Sequence, residues 1–564
     1  MWTQTYWPVG GSIAFSALVA LSPLVVLAYL LTIRRVKAQF AALATLAMAG
    51  LVAVAVYGMP VSVVGSAALM GAAFGLFPIV WIVVNALFIY NLIVATGRFD
   101  VIRDSITALS SDRRIQALLV AFVFGTLMES IAGFGTPIAL VGAMLVGLGF
   151  AAEEALLLAL LANTTAVAFG NLGIPVISLA GVVAPLLGER REVLELALSS
   201  TISRQIAPLS LVIPAALVLL LAGWRGLRGV WPAALVSGLA FAIGQLVVGN
   251  LLGPALAGVL ASLASFGALY LLLQVWRPAE PMLHLAHETP QAAGMVESVP
   301  SRPPSFGATI DAWLPLLVLV VVVIVGSLPG INGWLDTASA RFAWPGLSGA
   351  VLKAPPLVSA AQAGTLDALY PAVYVLDWLH AGGSLTLFAG LVSVLITRTP
   401  IGLALRVYGQ TLKHLRWSAL AVASFLAVAW VMNYAGLTAT LGLSFTFTGP
   451  LFPFFSALVG WLGVFLTGSD TASNNLFGGL QVTTAQQVGV SPLLAAASNS
   501  SGGVCGKLIS PQNLAIGTAA VNLPGAEGRI LRRTVLWSFG LASVVGLMAL
   551  LLQYVVPGLL PRIG

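Results

Sequence analysis

Glu129 is the residue of this sequence whose type and position most directly indicate chemistry. It is the only charge between Arg114 and Glu153, in an apolar stretch, residues 115–150, that is long enough to cross a bilayer. A carboxylate at the centre of a membrane helix costs about 2.5–3.5 kcal/mol on insertion scales, so such a residue usually marks an ion or proton site. We therefore predict that Glu129 carries a proton, with a structural ion pair as the alternative.

The backbone that follows Glu129 is predicted to break inside the membrane. Gly133, Gly135 and Thr136 come directly after the acid, and Pro137 follows them. Irregular backbone at membrane depth is tolerated only where it is buried in protein or lines a cavity. An acid beside such a break is typical of a transporter, and the N–H groups at residues 133–136 are predicted to bind an anion.

A second polar cluster lies in the C-terminal part of the chain. Asp470 is the only charge between Arg416 and Lys507, and we predict that it is either a second proton site or a fixed organiser of its loop. Lys507 and the N–H groups of residues 500–503 are predicted to bind a small carboxylate. The other predicted substrate-binding residues are Asn163, Thr164, Ser469, Ser473, Asn474, Asn475, Asn499, Ser500, Ser501 and Gly502.

Each of these interpretations has a plainer alternative. Small polar residues such as Gly, Ser and Asn often serve only to pack membrane helices against one another. A lysine near a helix end can extend its ammonium group to the membrane surface. The density of the polar run 498–513, which ends in a lysine and a second Ser/Asn group, favours a binding site.

The elements that must position these residues are membrane helices. The chain has 564 residues, of which 59% are hydrophobic and only 8% charged, whereas soluble domains carry about 25% charged residues. The apolar runs predict an all-α polytopic membrane protein with about 12–14 transmembrane helices. The proline-containing stretch 276–310 is predicted to link a first membrane half, residues 1–275, to a second half, residues 311–564.

The two halves carry similar patterns. In each, an acidic broken segment precedes an Asn-hydroxyl motif by about 30 residues: Ala162-Asn163-Thr164 follows Glu129, and Ser498-Asn499-Ser500 follows Asp470. Interrupted hydrophobic segments at matching positions are a pointer to a transport site between inverted repeats. Because the residue-level similarity is weak, a chance match is the alternative.

The charge distribution and the cysteine count exclude several classes. The net charge of +7 comes from short basic loops, at 34–37, 98–114, 398–416 and 529–533, which predicts a cytoplasmic location for the first cluster and an N-terminus outside, with no nucleic-acid partner. One cysteine, Cys505, cannot form an intramolecular disulfide, and His284 and His287 are more typical of a solvated linker than of a metal site. No dinucleotide or Walker motif is present, so we expect no cofactor, no metal and no enzyme.

Seven segments of the sequence form a recognisable set: Glu129–Pro137, Asn163–Thr165, Phe169–Asn171, Tyr374–Trp378, Met432–Leu441, Gly468–Asn475 and Asn499–Pro511. In these segments the chain resembles the lactate permease family of bacterial proton-coupled symporters. The resemblance implies uptake of lactate, and often glycolate, with protons across the bacterial plasma membrane, by two inverted halves with hairpins. With such a substrate, Asn163, Asn474, Asn475 and Asn499 become the candidates for binding its 2-hydroxyl.

Two other functions stay open at this point. The Asn-hydroxyl motifs also fit a sodium-coupled carboxylate transporter, and a passive anion channel is a third possibility, although no ring of pore charges is evident. The resemblance departs from the hairpin motifs of wider relatives at Ala162 and Ser500, so sodium sites are not carried over.

Overall fold

A computed structural model of the protein describes residues 1–34, 36–133, 135–283, 304–523 and 525–561. Within these ranges the chain is predominantly helical, as predicted. The described α-helices are α1 Ile13–Ala28, α2 Ala38–Ala55, α3 Val61–Phe74, α4 Trp81–Ala95, α5 Arg98–Thr107, α6 Arg113–Ala117, α7 Gly125–Ile131, α8 Thr136–Gly147, α9 Ala152–Asn163, α10 Gly170–Leu187, α11 Arg191–Leu251, α12 Pro254–Val275, α13 Phe306–Ser327, α14 Pro329–Asp336, α15 Gly382–Ile396, α16 Ile401–Ala435, α17 Leu437–Ser444, α18 Phe452–Thr467, α19 Asp470–Val488, α20 Pro492–Gly506, α21 Pro511–Ala520 and α22 Glu527–Tyr554.

Shorter pieces continue several of these helices. Wider π-type turns occupy Tyr29–Ile33, Gly75–Val80 and Leu118–Phe124, and 3-10 turns occupy Val167–Phe169, Leu366–Ala368, Phe445–Leu451 and Pro557–Leu559. Four short strands, β1 Trp2–Thr3, β2 Ala340–Ala343, β3 Val351–Leu352 and β4 Val373–Leu376, form two small two-stranded sheets. The chain is therefore an all-α membrane protein with a minor extramembrane β structure.

Eleven helical segments of the described chain are long and apolar enough to cross a membrane. One of them, α11, has 61 residues, and at 1.5 Å per residue it is about 90 Å long, far more than one crossing needs. Its backbone reverses at Gly223, which has a φ of +62°. Ser210 then donates a hydrogen bond to Gln245 at 3.3 Å, so α11 is an antiparallel pair of crossing helices.

The stretch after α13 forms a structured excursion next to the N-terminus. Strand β1 pairs in parallel with β3, and β2 pairs with β4 in antiparallel register, Ala340 opposite Leu376. The side chain of Gln4 donates to the carbonyl oxygens of Asn433 and Tyr434 at the end of α16. The N-terminus and the excursion 330–380 therefore share one face of the protein, which we call the excursion face.

The basic loops meet on the opposite face, which we call the basic face. Arg113 donates to the carbonyl oxygen of Leu148 after α8, and Glu153 at the start of α9 forms ion pairs with Arg529 at 3.0 Å and Arg533 at 2.7 Å. Loops distant in sequence thus come together here, in the arrangement that the positive-inside rule describes.

Two helical hairpins enter from these opposite faces. The first hairpin, α8 and α9, has its connecting loop on the basic face, beside Arg113. The second hairpin, α19 and α20, has its loop on the excursion face, where Gln487 donates to the carbonyl oxygen of Pro356 at 3.3 Å. In both halves a backbone break precedes and follows the hairpin, so the two halves repeat one pattern in opposite orientations.

The predicted linker 276–310 lies only partly in the described chain. Residues 284–303, with His284 and His287, are outside it. The preceding segment packs on the basic face, where Asp112 accepts the N–H of Met282 at 3.0 Å and Arg114 donates to the carbonyl oxygen of Glu280 at 2.8 Å. Burial opposes the charge of Asp112, but hydrogen bonds from Arg114 and Met282 outweigh it and lower the pKa of this carboxyl.

Candidate functional site

Backbone breaks at both hairpins bring the predicted residues to the interior. Gly133 and Gly135 have φ values of +43° and +80°, which side-chain-bearing residues rarely adopt. A Cβ atom at Gly133 would also collide with the side chain of Asn171. In the second half Gly468 has a φ of +72°, and the hydroxyl of Ser469 caps the start of α19. Glycine is therefore required at these breaks by conformation and by space.

Glu129 lies in α7 just before the first break and forms an ion pair with Lys507. The ammonium nitrogen of Lys507 is 2.6 Å from Oε1 of Glu129, and both side chains are buried, at 7% and 3% exposed. The sequence indicated no buried cation in the first half, and the structure supplies one from the second half, 378 residues away. Removal of one partner from a buried charge pair leaves the other charge uncompensated, at a cost of about 3–5 kcal/mol.

The first hairpin supplies a second hydrogen-bonding partner for Glu129. Asn163, the last residue of α9, donates to Oε2 of Glu129 at 2.8 Å, while its own Oδ1 has no hydrogen-bond partner in the described chain. Gly170 packs directly against the carboxylate, so that a Cβ atom there would lie 2.9 Å from Oε1. Thr164 contributes little to this site, because its hydroxyl bonds back to the carbonyl oxygen of Leu160.

Asp470 is the first residue of α19, and its carboxylate faces α20. The hydroxyl of Ser500 donates to Oδ2 at 2.6 Å, and Asn474 approaches the same oxygen at 3.4 Å. An acid in the first turn is favoured by the dipole of its helix. Lys507 attracts this carboxylate and Glu129 repels it, so both acids act on one another around a single lysine.

A chain of amide side chains extends from Asp470 through the second hairpin. Asn499 donates to Oδ1 of Asn474 at 2.9 Å, and Gln481 donates to Oδ1 of Asn499 at 2.9 Å. Asn474 also donates to the carbonyl oxygen of Pro175 in α10. The side chain of Asn475 accepts the hydroxyl of Ser178, again from α10. The predicted asparagines therefore join the first and second halves.

One part of the sequence interpretation is wrong. Residues 500–503 were predicted to expose backbone N–H groups, but they lie inside the continuous helix α20, and the break comes later, at 507–510. Gly502 packs against the backbone of Ala457, where a Cβ atom would collide, so its small size serves close helix packing. Ser473 likewise bonds the carbonyl oxygen of Gly460, while Oγ of Ser501 has no partner in the described residues.

A cavity of about 650 Å³, the inner cavity, leads from the basic face to the second break. Its mouth is lined by Lys37, Trp417 and Glu527, and its deep end by Ser469 and Asn475. The starts of α19 and α21 both border it, and helix starts favour anions. Ile509, two residues after Lys507 in the chain, also lines the cavity, whereas Glu129 and Lys507 are not among its lining residues.

Some residues of the site escaped the sequence analysis. Asn171, with a φ of +47°, lies against Gly133, and its Oδ1 has no partner within the described chain. Gln481 and Ser178 complete the amide chain and its link to α10. Asn171 and Ser178 are isolated polar residues in apolar runs, which was the available signal. Gln481 lies in a polar stretch and had no such signal.

The chain matches the family model described as L-lactate permease over residues 16–556. It is 41% identical over 570 residues to "Glycolate permease GlcA" of Escherichia coli (strain K12), with 99% of each chain covered. It is 39% identical over 571 residues to "L-lactate permease" of Bacillus subtilis (strain 168), covering 99% of this chain and 100% of that one. A crystal structure of the YdaH transporter of Alcanivorax borkumensis is similar with a TM-score of 0.43 and 14% identity, over 87% of each chain.

Proposed function

Because the chain belongs to the L-lactate permease family, we propose that it takes up lactate and related small 2-hydroxy monocarboxylates, such as glycolate, by symport with protons. The relatives' names support the substrate class, since they are L-lactate and glycolate permeases. The buried pair of Glu129 and Lys507 is the observation that supports proton coupling. The setting is the bacterial plasma membrane, with the N-terminus outside and the basic face in the cytoplasm.

Coupling follows from the charge balance around Lys507. Without substrate, the ammonium group of Lys507 is neutralised by Glu129 at 2.6 Å. A substrate carboxylate that binds Lys507 takes this counter-ion role and leaves Glu129 as a second anion in a buried site. An unpaired buried charge costs several kcal/mol, so Glu129 then binds a proton. One carboxylate and one proton are therefore loaded together.

The membrane potential opposes entry of the anion alone, and coupling to a proton removes this electrical cost. An anion that enters a cell alone moves against an inside-negative potential, at a cost of about 2.3 kcal/mol per 100 mV. A proton carried with it cancels the net charge, so that the pH gradient drives uptake. Release on the cytoplasmic side returns Glu129 to Lys507, and this re-formed pair prevents a lone proton from crossing.

The remaining polar residues have supporting roles in this proposal. Asp470 accepts a hydrogen bond from the hydroxyl of Ser500 and lies at the start of α19. These contacts favour a role as the fixed organiser of the loop over that of a second proton site. Asn163, with its unpaired Oδ1 in the described chain, is placed to accept the 2-hydroxyl of the substrate beside Glu129. Gly133, Gly135 and Thr136 hold the break that lets Glu129 and Asn163 meet.

The test is uptake of labelled lactate into proteoliposomes that contain the purified protein. An imposed gradient, acidic outside, at zero membrane potential is expected to drive accumulation, and equal pH on both sides is expected to give equilibration only. Accumulation that follows a sodium gradient at fixed pH would show that the coupling ion is sodium and not the proton. Equilibration that no gradient converts into accumulation would show a passive channel.

A further inference from the structure

A second cavity, which we call the outer cavity, opens on the excursion face. Its volume is about 670 Å³, and it is bordered by Asp336, Arg341 and Tyr374 of the excursion. Its charged lining residues are three acids and three arginines, Glu189, Glu192, Asp336, Arg190, Arg191 and Arg341. The entrance therefore carries little net charge. The floor of the cavity is formed by Phe74, Gly181 and Trp430.

The outer and inner cavities are lined by the same helices at successive levels. On α10, Ile174 borders the inner cavity and Gly181 borders the outer one. On α16, Phe425 borders the inner cavity and Trp430 the outer one. At 1.5 Å per residue, the two cavities end within about 7–11 Å of each other along these helices. The cavities are therefore separated by the side chains that pack between these two levels of α10 and α16.

An aromatic pair forms the outer part of this separation. The rings of Phe74 and Trp430 stack with centroids 5.3 Å apart at an interplanar angle of 30°. Gly181 presses against the ring of Phe74, and a Cβ atom there would collide with it. Both aromatic residues are buried, at 8% and 5% exposed. The pair closes the outer cavity while the inner cavity reaches the site from the other side.

The indole of Trp430 also carries an unused donor. Its Nε1–H has no hydrogen-bond partner in the part of the chain that the structure describes, although Trp430 lines the outer cavity. An indole N–H can only donate, and burying it unpaired is unfavourable. Carboxylate and hydroxyl oxygens of a small hydroxy acid are suitable acceptors, and they would arrive through this cavity.

We propose that the transport path runs along α10 and α16 from the outer to the inner cavity, and that Trp430 binds the substrate by its indole N–H at the outer end of this path. Phe74 and Trp430 are the gate that separates the cavities. The choice of a small carboxylate as ligand rests on the proposed function, whereas the position of the gate does not.

The binding role is tested with Trp430→Phe, which keeps an aromatic ring next to Phe74 and removes the N–H. We expect the KM for lactate applied from the excursion face to rise about tenfold, the usual effect of losing one hydrogen bond to a charged acceptor. The matched control is Trp313→Phe, because Trp313 stacks on Phe266 in the same way, at 5.4 Å and 28°, and lines neither cavity. An unchanged KM in Trp430→Phe would overturn the binding role.

The gate is tested by thiol labelling, which requires no transport. In a Cys505→Ala background, Thr471→Cys places a single thiol in the inner cavity. A membrane-impermeant reagent added at the excursion face is expected to label it several-fold faster when Phe74 is replaced by Ala. Gly181→Ala, which displaces the ring of Phe74, is expected to act in the same direction if Phe74→Ala does not fold. Phe266→Ala is the control.

Equal labelling rates with and without Phe74 and Gly181 would overturn the gate. If the wild-type protein transports no lactate but the labelling rates change as expected, the proposed substrate fails and the path stands. If lactate uptake is normal and labelling does not respond, the path fails and the proposed function stands.

Discussion

At the scale of single residues, the central feature is a buried lysine of the second half that pairs with an acid of the first half. Lys507 contacts Glu129 directly and also acts on Asp470. A buried lysine with two acids around it is charge-balanced only when one acid is neutral or compensated in another way. The dipole of α19 favours a negative charge at Asp470, and Glu129 is the acid in direct contact with Lys507, so we expect a change in the partner of Lys507 to affect Glu129 first.

Glu129→Gln removes the proton carrier and keeps the shape of the side chain. With a pH difference of one unit, wild-type protein is expected to accumulate lactate about tenfold, because one unit is worth about 1.4 kcal/mol per proton. The variant is expected to reach a ratio near one while still exchanging labelled for unlabelled lactate. Asp367→Asn, at an exposed residue of the excursion, is the control. Tenfold accumulation by Glu129→Gln would contradict the coupling proposal.

Lys507→Ala is expected to abolish uptake and to lower the yield of folded protein, since Glu129 remains buried without its cation, at a cost of about 3–5 kcal/mol. The double variant Glu129→Gln, Lys507→Ala removes both charges and is expected to restore folding, measured by thermal stability in detergent, but not lactate binding. Lys413→Ala, at an exposed position of α16, is the control. Normal lactate uptake by the double variant would reduce the pair to a structural role.

At the scale of elements, the site depends on helices that stop inside the protein. Two hairpins enter from opposite faces, and the breaks beside them bring Asn163, Glu129 and Lys507 within hydrogen-bond distance. Positive φ values at Gly133, Gly135 and Gly468 make these turns possible. If either break were replaced by a continuous helix, Glu129 and Lys507 would no longer lie within hydrogen-bond distance of each other.

Gly133→Ala tests the first break. The alanine side chain would collide with Asn171 and would occupy an unfavourable φ of +43°, so we expect a loss of roughly 1–3 kcal/mol in stability and a much larger relative loss of uptake. Gly147→Ala, in α8 with open space around it, is expected to be neutral in both measurements. Equal behaviour of the two variants in thermal unfolding and uptake assays would argue against a required break.

At the scale of the whole molecule, the basic loops lie on one face and the excursion with the N-terminus on the other. The inner cavity opens on the basic face and the outer cavity on the excursion face. If the positive-inside rule holds for this chain, the structure is open to the cytoplasm and closed to the outside. Alternating access then requires the aromatic pair to part while the inner cavity closes.

The orientation is tested by labelling single cysteines in intact cells, again in a Cys505→Ala background. Ser359→Cys, exposed in the excursion, is expected to react with an impermeant thiol reagent. Ser111→Cys, exposed on the basic face, is expected to react only after the cells are permeabilised. The reverse pattern would place the excursion in the cytoplasm and would invert the assignment of both cavities.

The membrane class and the helical architecture were predictable from the sequence alone, and the sequence singled out Glu129, Asp470 and Lys507 as candidate site residues. It could do so because the cost of placing a charge in an apolar stretch is a local property, visible at the residue itself. The glycines at the first break were readable for the same reason, since their conformational freedom is needed where they stand.

Which charges meet becomes known only from the folded chain. Glu129 and Lys507 lie 378 residues apart, and nothing in either segment specifies the other as its partner. The same holds for the wrong assignment of residues 500–503, because a Gly/Ser-rich run fits a broken helix and a closely packed one equally well until its neighbour, here the backbone of Ala457, is known. Pairing, packing and cavities are relations between distant segments, and the folded chain alone establishes them.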